Sequence, residues 1–182
     1  MIYGKRLRLR AIERADLPRF HEWLNDPEIT DGLAIYLPLS MLEEEKWFDR
    51  AMEGDEEQRP LAIEIPNGKE WLMIGNAGLL QLEWTNRCSE FGLFIGDKSR
   101  WDRGYGTETV QLMLRHAFQT LNLNRIYLRV HANNARARRS YEKAGFVLEG
   151  TLREAVYRDG EYRDVYIMSV LRSDWSAGGE AP

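Results

Sequence analysis

Between Thr107 and Leu121 the chain carries Val110, Met113, Leu114, Ala117, Phe118 and Leu121, an apolar stripe at helical spacing. Before it lies the apolar run 90–96 (EFGLFIG), and after it Ile126, Leu128 and Val130 alternate with polar residues. A strand, a helix and a strand in that succession leave few folds open. The two strands are expected to lie parallel in one sheet, with the helix making a right-handed crossover between them.

The rest of the chain supplies the other elements. Leu7 and Leu9 alternate with Arg6, Arg8 and Arg10, a short half-exposed strand. Asp16 can cap a helix that carries Phe20, Trp23 and Leu24, and Asp26-Pro27 stops it. Ser40 with Glu43 forms a capping box for a second helix, expected to bury Trp47, Phe48 and Ala51. Leu61, Ile63 and Ile65 alternate up to a turn at Asn67-Gly68, and 71–84 reads as the partner strand. Beyond the central helix come a strand at 126–130 and a helix from about Asn134 to Ala144, which Gly145 ends. Strands at about 151–158 and 162–171 meet at Asp159-Gly160. The expected order is β-α-α-β-β-β-α-β-α-β-β. It describes an α/β protein of the α+β type, with a central mixed sheet and about four flanking helices. One domain over 1–172 and a flexible tail over 173–182 are expected.

Composition narrows the function. The 182 residues are 43% hydrophobic and 30% charged, which suits a globular core. A net charge of −4 provides no general basic surface, so nucleic acid is not an expected partner. No apolar run is long enough for a bilayer, and the start MIYGKRLRLR lacks the apolar stretch of a signal peptide. A membrane partner is therefore not expected, and the cytoplasm is the expected compartment. Cys88 is the single cysteine, so neither an internal disulfide nor a thiolate metal cluster is expected.

Two segments carry chemistry. In the first, Arg103-Gly104-Tyr105-Gly106-Thr107 sits where a loop becomes the central helix. Glycines there let a ligand approach the backbone, and the first-turn amides can hold a phosphate. A plain turn has the same composition. The segment is not a dinucleotide-binding fingerprint, because the third glycine is absent, nor a Walker loop, because no Gly-Lys-Ser/Thr follows. The second segment is Asn133-Asn134-Ala135-Arg136-Ala137-Arg138-Arg139-Ser140-Tyr141-Glu142-Lys143-Ala144-Gly145-Phe146. Taken alone, Asn134 reads as a helix cap and Tyr141, in line with Ala137 and Ala144, as core.

Together, in this order, the two segments resemble the GCN5-related N-acetyltransferase (GNAT) superfamily. The match is N-x-x-A-x-x-x-Y-E-K-x-G-F from Asn134, preceded by the glycine loop. The resemblance is close over 61–171. The start, with Leu7-x-Leu9-Arg10 and Trp23-Leu24-Asn25-Asp26-Pro27-Glu28, is similar to the ribosomal-protein N-terminal acetyltransferase branch. The stretch Tyr157-Arg158-Asp159-Gly160-Glu161-Tyr162-Arg163-Asp164-Val165 resembles that branch and the bacterial spermidine/spermine acetyltransferases. The resemblance implies acetyl-CoA as co-substrate and no metal. It implies that the backbone of Leu93, Phe94 and Ile95 pairs with the pantetheine arm. The pyrophosphate would rest on Trp101, Asp102, Arg103, Gly104, Tyr105, Gly106 and Thr107, Asn134 would bond the arm, and Tyr141 would stand near the thioester sulfur. Trp101 replaces the polar residue that usually opens the family's loop.

Acyl transfer to an amine needs a neutral nucleophile, a donor for the oxyanion and help for the departing thiolate. Tyr141 is the candidate acid, by direct attack in a ternary complex. Glu90 is the candidate base or an orienting carboxylate, and His131 ranks second. The acidic residues within 43–57 are either a rim that attracts a cationic amine or a solvated face. The expected acceptor is a protein N-terminus or a polyamine-like amine. Amino-sugar and amino-acid acceptors, a non-catalytic acyl-CoA-binding regulatory module and association into a homodimer stay open.

Overall fold

The structure is a computed structural model and describes residues 1–178, with side chains through Trp175. Backbone contacts group the chain into two compact units. One holds Met1–Leu79 and Gly92–Thr109, the other Leu80–Phe91 and the chain from Val110 onward. Two strands, β4 (Glu70–Glu83) and β5 (Cys88–Ile95), run through both.

In the first unit the strands follow the order β1-β2-β3-β4-β5, with β1 at Ile2–Tyr3, β2 at Arg8–Ala11 and β3 at Leu61–Asn67. The β1–β2, β2–β3 and β3–β4 pairs are all antiparallel. The turn between β3 and β4 is centred one residue later than expected. Asn67 still pairs with Glu70, and Gly68 takes φ +66°, the first central position of a turn in which glycine escapes the clash of a Cβ. Three helices complete the unit: α1 (Leu17–Leu24), α2 (Pro27–Thr30) and α3 (Met41–Glu53). The α3 capping box is formed, with the Ser40 hydroxyl accepting from Glu43 N and the Glu43 carboxylate accepting from Ser40 N. Phe20 anchors the core, with its ring edge-on to Trp23, Trp47 and Phe94 at 6.0, 6.2 and 6.1 Å. On α3 the burial differs from expectation. Phe48 is buried, Trp47 and Ala51 are half-buried, and Glu44 joins the buried face. Its place one turn before Phe48 puts it on the inward stripe despite its charge.

In the second unit the order is β4-β5-β6-β8-β7, with β6 at Arg125–His131, β7 at Val147–Arg158 and β8 at Glu161–Leu171. β5 and β6 are parallel, through Cys88↔Arg125, Ser89↔Ile126 and Glu90↔Tyr127, while β6–β8 and β7–β8 are antiparallel. The sheet is therefore mixed, as expected from the strand–helix–strand pattern. The stripe of α4 (Tyr105–Arg115) and the π turn that prolongs it (His116–Thr120) is buried at Val110, Met113, Leu114, Ala117 and Phe118. Helix α5 spans Ala135–Lys143, and Gly145 follows it at φ +98°. β7 begins at Val147, earlier than expected, and its hairpin turns on Asp159 and Gly160, both at positive φ. The expected tail begins instead as helix α6 (Arg172–Gly178), because the Trp175 ring packs on Phe118 at 5.5 Å. Residues 179–182 of that tail lie outside the described residues.

Candidate functional site

In the first unit the candidate residues form a seat built from backbone. After β5, Asp97 turns the chain by accepting from Ser99 N at 3.0 Å and Ser99 Oγ at 2.6 Å. Trp101 then pins the loop to the strand, its indole Nε1 donating to the Ile95 carbonyl at 2.8 Å and its amide to Lys98 O at 3.2 Å. Both of its donors are thereby engaged. Asp102 and Gly104 both take positive φ, +57° and +82°, on either side of Arg103, and α4 starts at Tyr105. The first bond of the helix runs from Glu108 N to Gly104 O at 3.1 Å, so the amides of Tyr105, Gly106 and Thr107 have no carbonyl one turn behind them. Left-handed residues next to such a first turn gather amides into a concave nest suited to an anion. These residues fit a pyrophosphate on chemistry and on conformation. Leu93, Phe94 and Ile95 are half-buried, and the Phe94 ring belongs to the aromatic core around Phe20.

In the second unit the candidate residues form a group built from side chains. Tyr141 is 7% exposed, its ring edge-on to Phe91 at 6.4 Å and tilted on Phe146 at 5.8 Å. Its hydroxyl has no protein hydrogen-bond partner among the described residues. Burial pushes the phenol up to about 12, so it keeps its proton throughout the neutral range. Asn134 caps α5, its side-chain oxygen accepting from Ala137 N at 3.0 Å, which leaves the side-chain NH2 as the group able to donate outward. Glu90 is buried, and both carboxylate oxygens are engaged by Arg129, at 2.8 Å from Nε and 3.0 Å from Nη2. Successive strand residues face opposite sides. Phe91 therefore meets Tyr141 on one face of β5, and Glu90 meets Arg129 on the other. His131 closes β6 opposite Val165.

Arg129 was missed from sequence. The signal lies in the register. Glu90 pairs with Tyr127, and Arg129 lies two residues further along the same face of β6. In the acidic stretch, Glu43 is occupied as a cap, Asp49 pairs with Arg14 at 2.6 Å and Glu56 lies 3.8 Å from Arg59. Glu45, Glu53 and Glu57 are exposed. Among the described residues, no group of three or more His, Cys, Asp or Glu could hold a metal ion, and no helix is long and apolar enough to cross a membrane.

The mixed sheet, with its parallel β5–β6 pair joined through α4, is the fold that the sequence resemblance implied. The sequence pattern of the acetyltransferase (GNAT) domain matches residues 6–147, and the chain belongs to this family. It is an N-acetyltransferase with acetyl-CoA as co-substrate. Spermidine N(1)-acetyltransferase of Vibrio cholerae is 30% identical over 172 residues, 94% of this chain and 96% of the relative. The crystal structure of spermidine N-acetyltransferase from Vibrio cholerae in complex with CoA and spermine superposes with a TM-score of 0.85 at 30% identity, covering 95% of this chain and 99% of the other. The "Putative ribosomal N-acetyltransferase YdaF" of Bacillus subtilis is 30% identical over 103 residues, 57% of this chain and 56% of the relative.

Proposed function

We propose that the protein acetylates a primary amine of a polyamine, by direct attack on acetyl-CoA in a ternary complex. The observation that carries the chemistry is the unpartnered hydroxyl at the tip of the buried Tyr141 ring, in a chain that also holds the amide nest at 102–107. Support for the acceptor comes from the relatives, which act on spermidine and span nearly the same length.

Acetyl-CoA supplies the activated acyl group. The backbone of Leu93, Phe94 and Ile95 and the side-chain NH2 of Asn134 bond the pantetheine arm. Asp102, Arg103, Gly104, Tyr105, Gly106 and Thr107 seat the pyrophosphate. Trp101 holds the loop in place and contributes no donor, because both of its N–H groups are engaged. In the reaction the amine nitrogen bonds to the carbonyl carbon, the C–S bond breaks, and the amine releases a proton to solvent. A phenol near 12 is a weaker acid than a thiol at about 8.5, so Tyr141 supports the departing thiolate by a hydrogen bond ahead of full proton transfer. Glu90, with both oxygens accepting from Arg129 and its charge compensated, keeps lone pairs that can orient an amine by a further hydrogen bond but is poorly suited to remove its proton.

A protein N-terminus is the second reading, favoured by the likeness to the ribosomal relative. Thiol release from acetyl-CoA against spermidine, spermine, N-terminal peptides and amino sugars tests both. Turnover on the polyamines at least tenfold above that on peptides is the expected result. Turnover on peptides alone transfers the assignment to the second reading, and no thiol release with any amine leaves a binding module.

A further inference from the structure

Arg6 precedes β2 in the first unit, far in sequence from the nest, yet three of its N–H groups bond residues in or beside it. Its backbone N–H donates to Glu108 Oε1 at 2.7 Å, its Nε to Glu108 Oε2 at 2.9 Å and its Nη1 to the carbonyl of Arg103 at 3.0 Å. The guanidinium lies 4.9 Å from the centre of the Tyr105 ring, and a Cβ added to Gly104 would approach its Nη2 to 3.1 Å. One side chain thus touches residues 103, 105 and 108 and lies against 104. Glu108 itself sits in the first turn of α4, with its side chain 13% exposed. A carboxylate there is favourable for the helix dipole, but it competes with any anion for the same positive end. Arg6 neutralises that carboxylate and at the same time holds the left-handed loop at Arg103.

We infer that Arg6 is a positioning residue for the acetyl-CoA phosphates, acting by masking Glu108 and fixing the 102–107 loop. This rests on the reading of 102–107 as the pyrophosphate seat. Without Arg6, the Glu108 charge is left within the same helical turn as a bound pyrophosphate. A like charge that near in a partly wet surface costs on the order of 1 kcal/mol, a fivefold to tenfold loss of affinity.

The test is a cycle of Arg6→Ala, Glu108→Gln and the double variant, with acetyl-CoA affinity by calorimetry at low and high salt and KM for both substrates. Arg6→Ala should raise the acetyl-CoA Kd and KM fivefold to tenfold, leave the amine KM unchanged and alter kcat less than twofold. The double variant should recover at least half of that loss on a logarithmic scale, because the unmasked charge is gone. The defect should also shrink with salt. A purely structural loss would persist in the double variant and at high salt, and would overturn the masking. An Arg6→Ala affinity equal to wild type overturns the inference, while Gly104→Asp in parallel reports on the seat. If Gly104→Asp also binds normally, the reading of 102–107 fails too. If it alone binds weakly, only the role of Arg6 fails. Arg6→Lys, which keeps the charge without the fork, separates masking from loop fixing through the size of its remaining defect.

Discussion

The nest at 102–107 and the surroundings of Tyr141 solve the problem of leaving a donor available in opposite ways. The nest leaves amides open because a helix begins there, and two positive-φ residues turn them inward. No side chain is required, so it is broken by adding atoms. Tyr141 leaves a hydroxyl open because Phe91 and Phe146 enclose its ring with groups that cannot bond it. A single oxygen is the group left available there, so the proposed role is broken by removing an atom. Glu90 differs from both, since a charged partner already occupies it. Family resemblance named all three, but the structure divides them into groups open for a ligand and a group closed on the protein.

The largest expected effect comes from the one-atom site. Tyr141→Phe should lower kcat by about 10²-fold, with acetyl-CoA affinity nearly unchanged. Pre-steady-state thiol release checks it, and a variant with normal turnover removes the hydroxyl from the reaction. The same residue has an alkaline signature. The phenol titrates at about 10 when unfolded and about 12 when folded, so the folded state holds the proton more tightly. Stability should therefore decline as pH rises between those values, and Tyr141→Phe should lose that part of the decline in denaturant titrations.

Next in size is Gly104→Asp, which places a side chain at φ +82° and a negative charge beside the seat. An increase of about tenfold or more in acetyl-CoA Kd is expected, since left-handed strain alone costs about 1–2 kcal/mol. Unlike Tyr141→Phe, this variant should recover kcat at saturating acetyl-CoA. If both variants shift the same parameter, the division between an open backbone and an open side chain does not hold.

A smaller effect is expected at the closed pair. Glu90→Gln should raise the amine KM threefold to fivefold, the scale of a single charge interaction of up to about 1 kcal/mol. A loss of kcat as large as that of Tyr141→Phe would instead make Glu90 the base. The smallest effect is structural and lies at Glu44. Burial raises its pKa, with the nearby His21 opposing and Glu43 reinforcing the shift. The folded state thus favours the proton, and stability from this group is present at acid pH and lost as pH rises through the folded value. Glu44→Gln should raise Tm by up to about 2 °C at pH 7 and by nothing well below the ordinary 4.5. Exposed Glu45 and Glu57 are the better probes of whether the acidic stretch attracts the amine, because reversing Glu43 or Glu44 would damage a cap or a buried face.

The elements were legible because their causes are local. The α4 stripe, the Ser40–Glu43 box, the hairpin at Asp159-Gly160 and the Gly145 stop each depend on residues within a turn or two of one another. The parallel β5–β6 pair was legible as well, since a single amphipathic helix between two adjacent strands favours a parallel crossover, whereas β2 and β3, joined through three helices, pair antiparallel. The identities of Tyr141, Asn134 and the glycine loop came through a motif, a pattern of spacing along one chain. The partners of these groups could not be read in that way. Whether Glu90 is free or held by Arg129 depends on strand register. Whether Trp101 faces a ligand or pins Ile95 depends on how a loop folds back on its strand. That Arg6 reaches Glu108 depends on bringing together residues about a hundred positions apart. Spacing along the chain determines periodicity and conformation. Which charges and donors remain unspent is decided only when distant segments meet, because a hydrogen bond or ion pair acts over about 3 Å of space and is indifferent to separation in sequence.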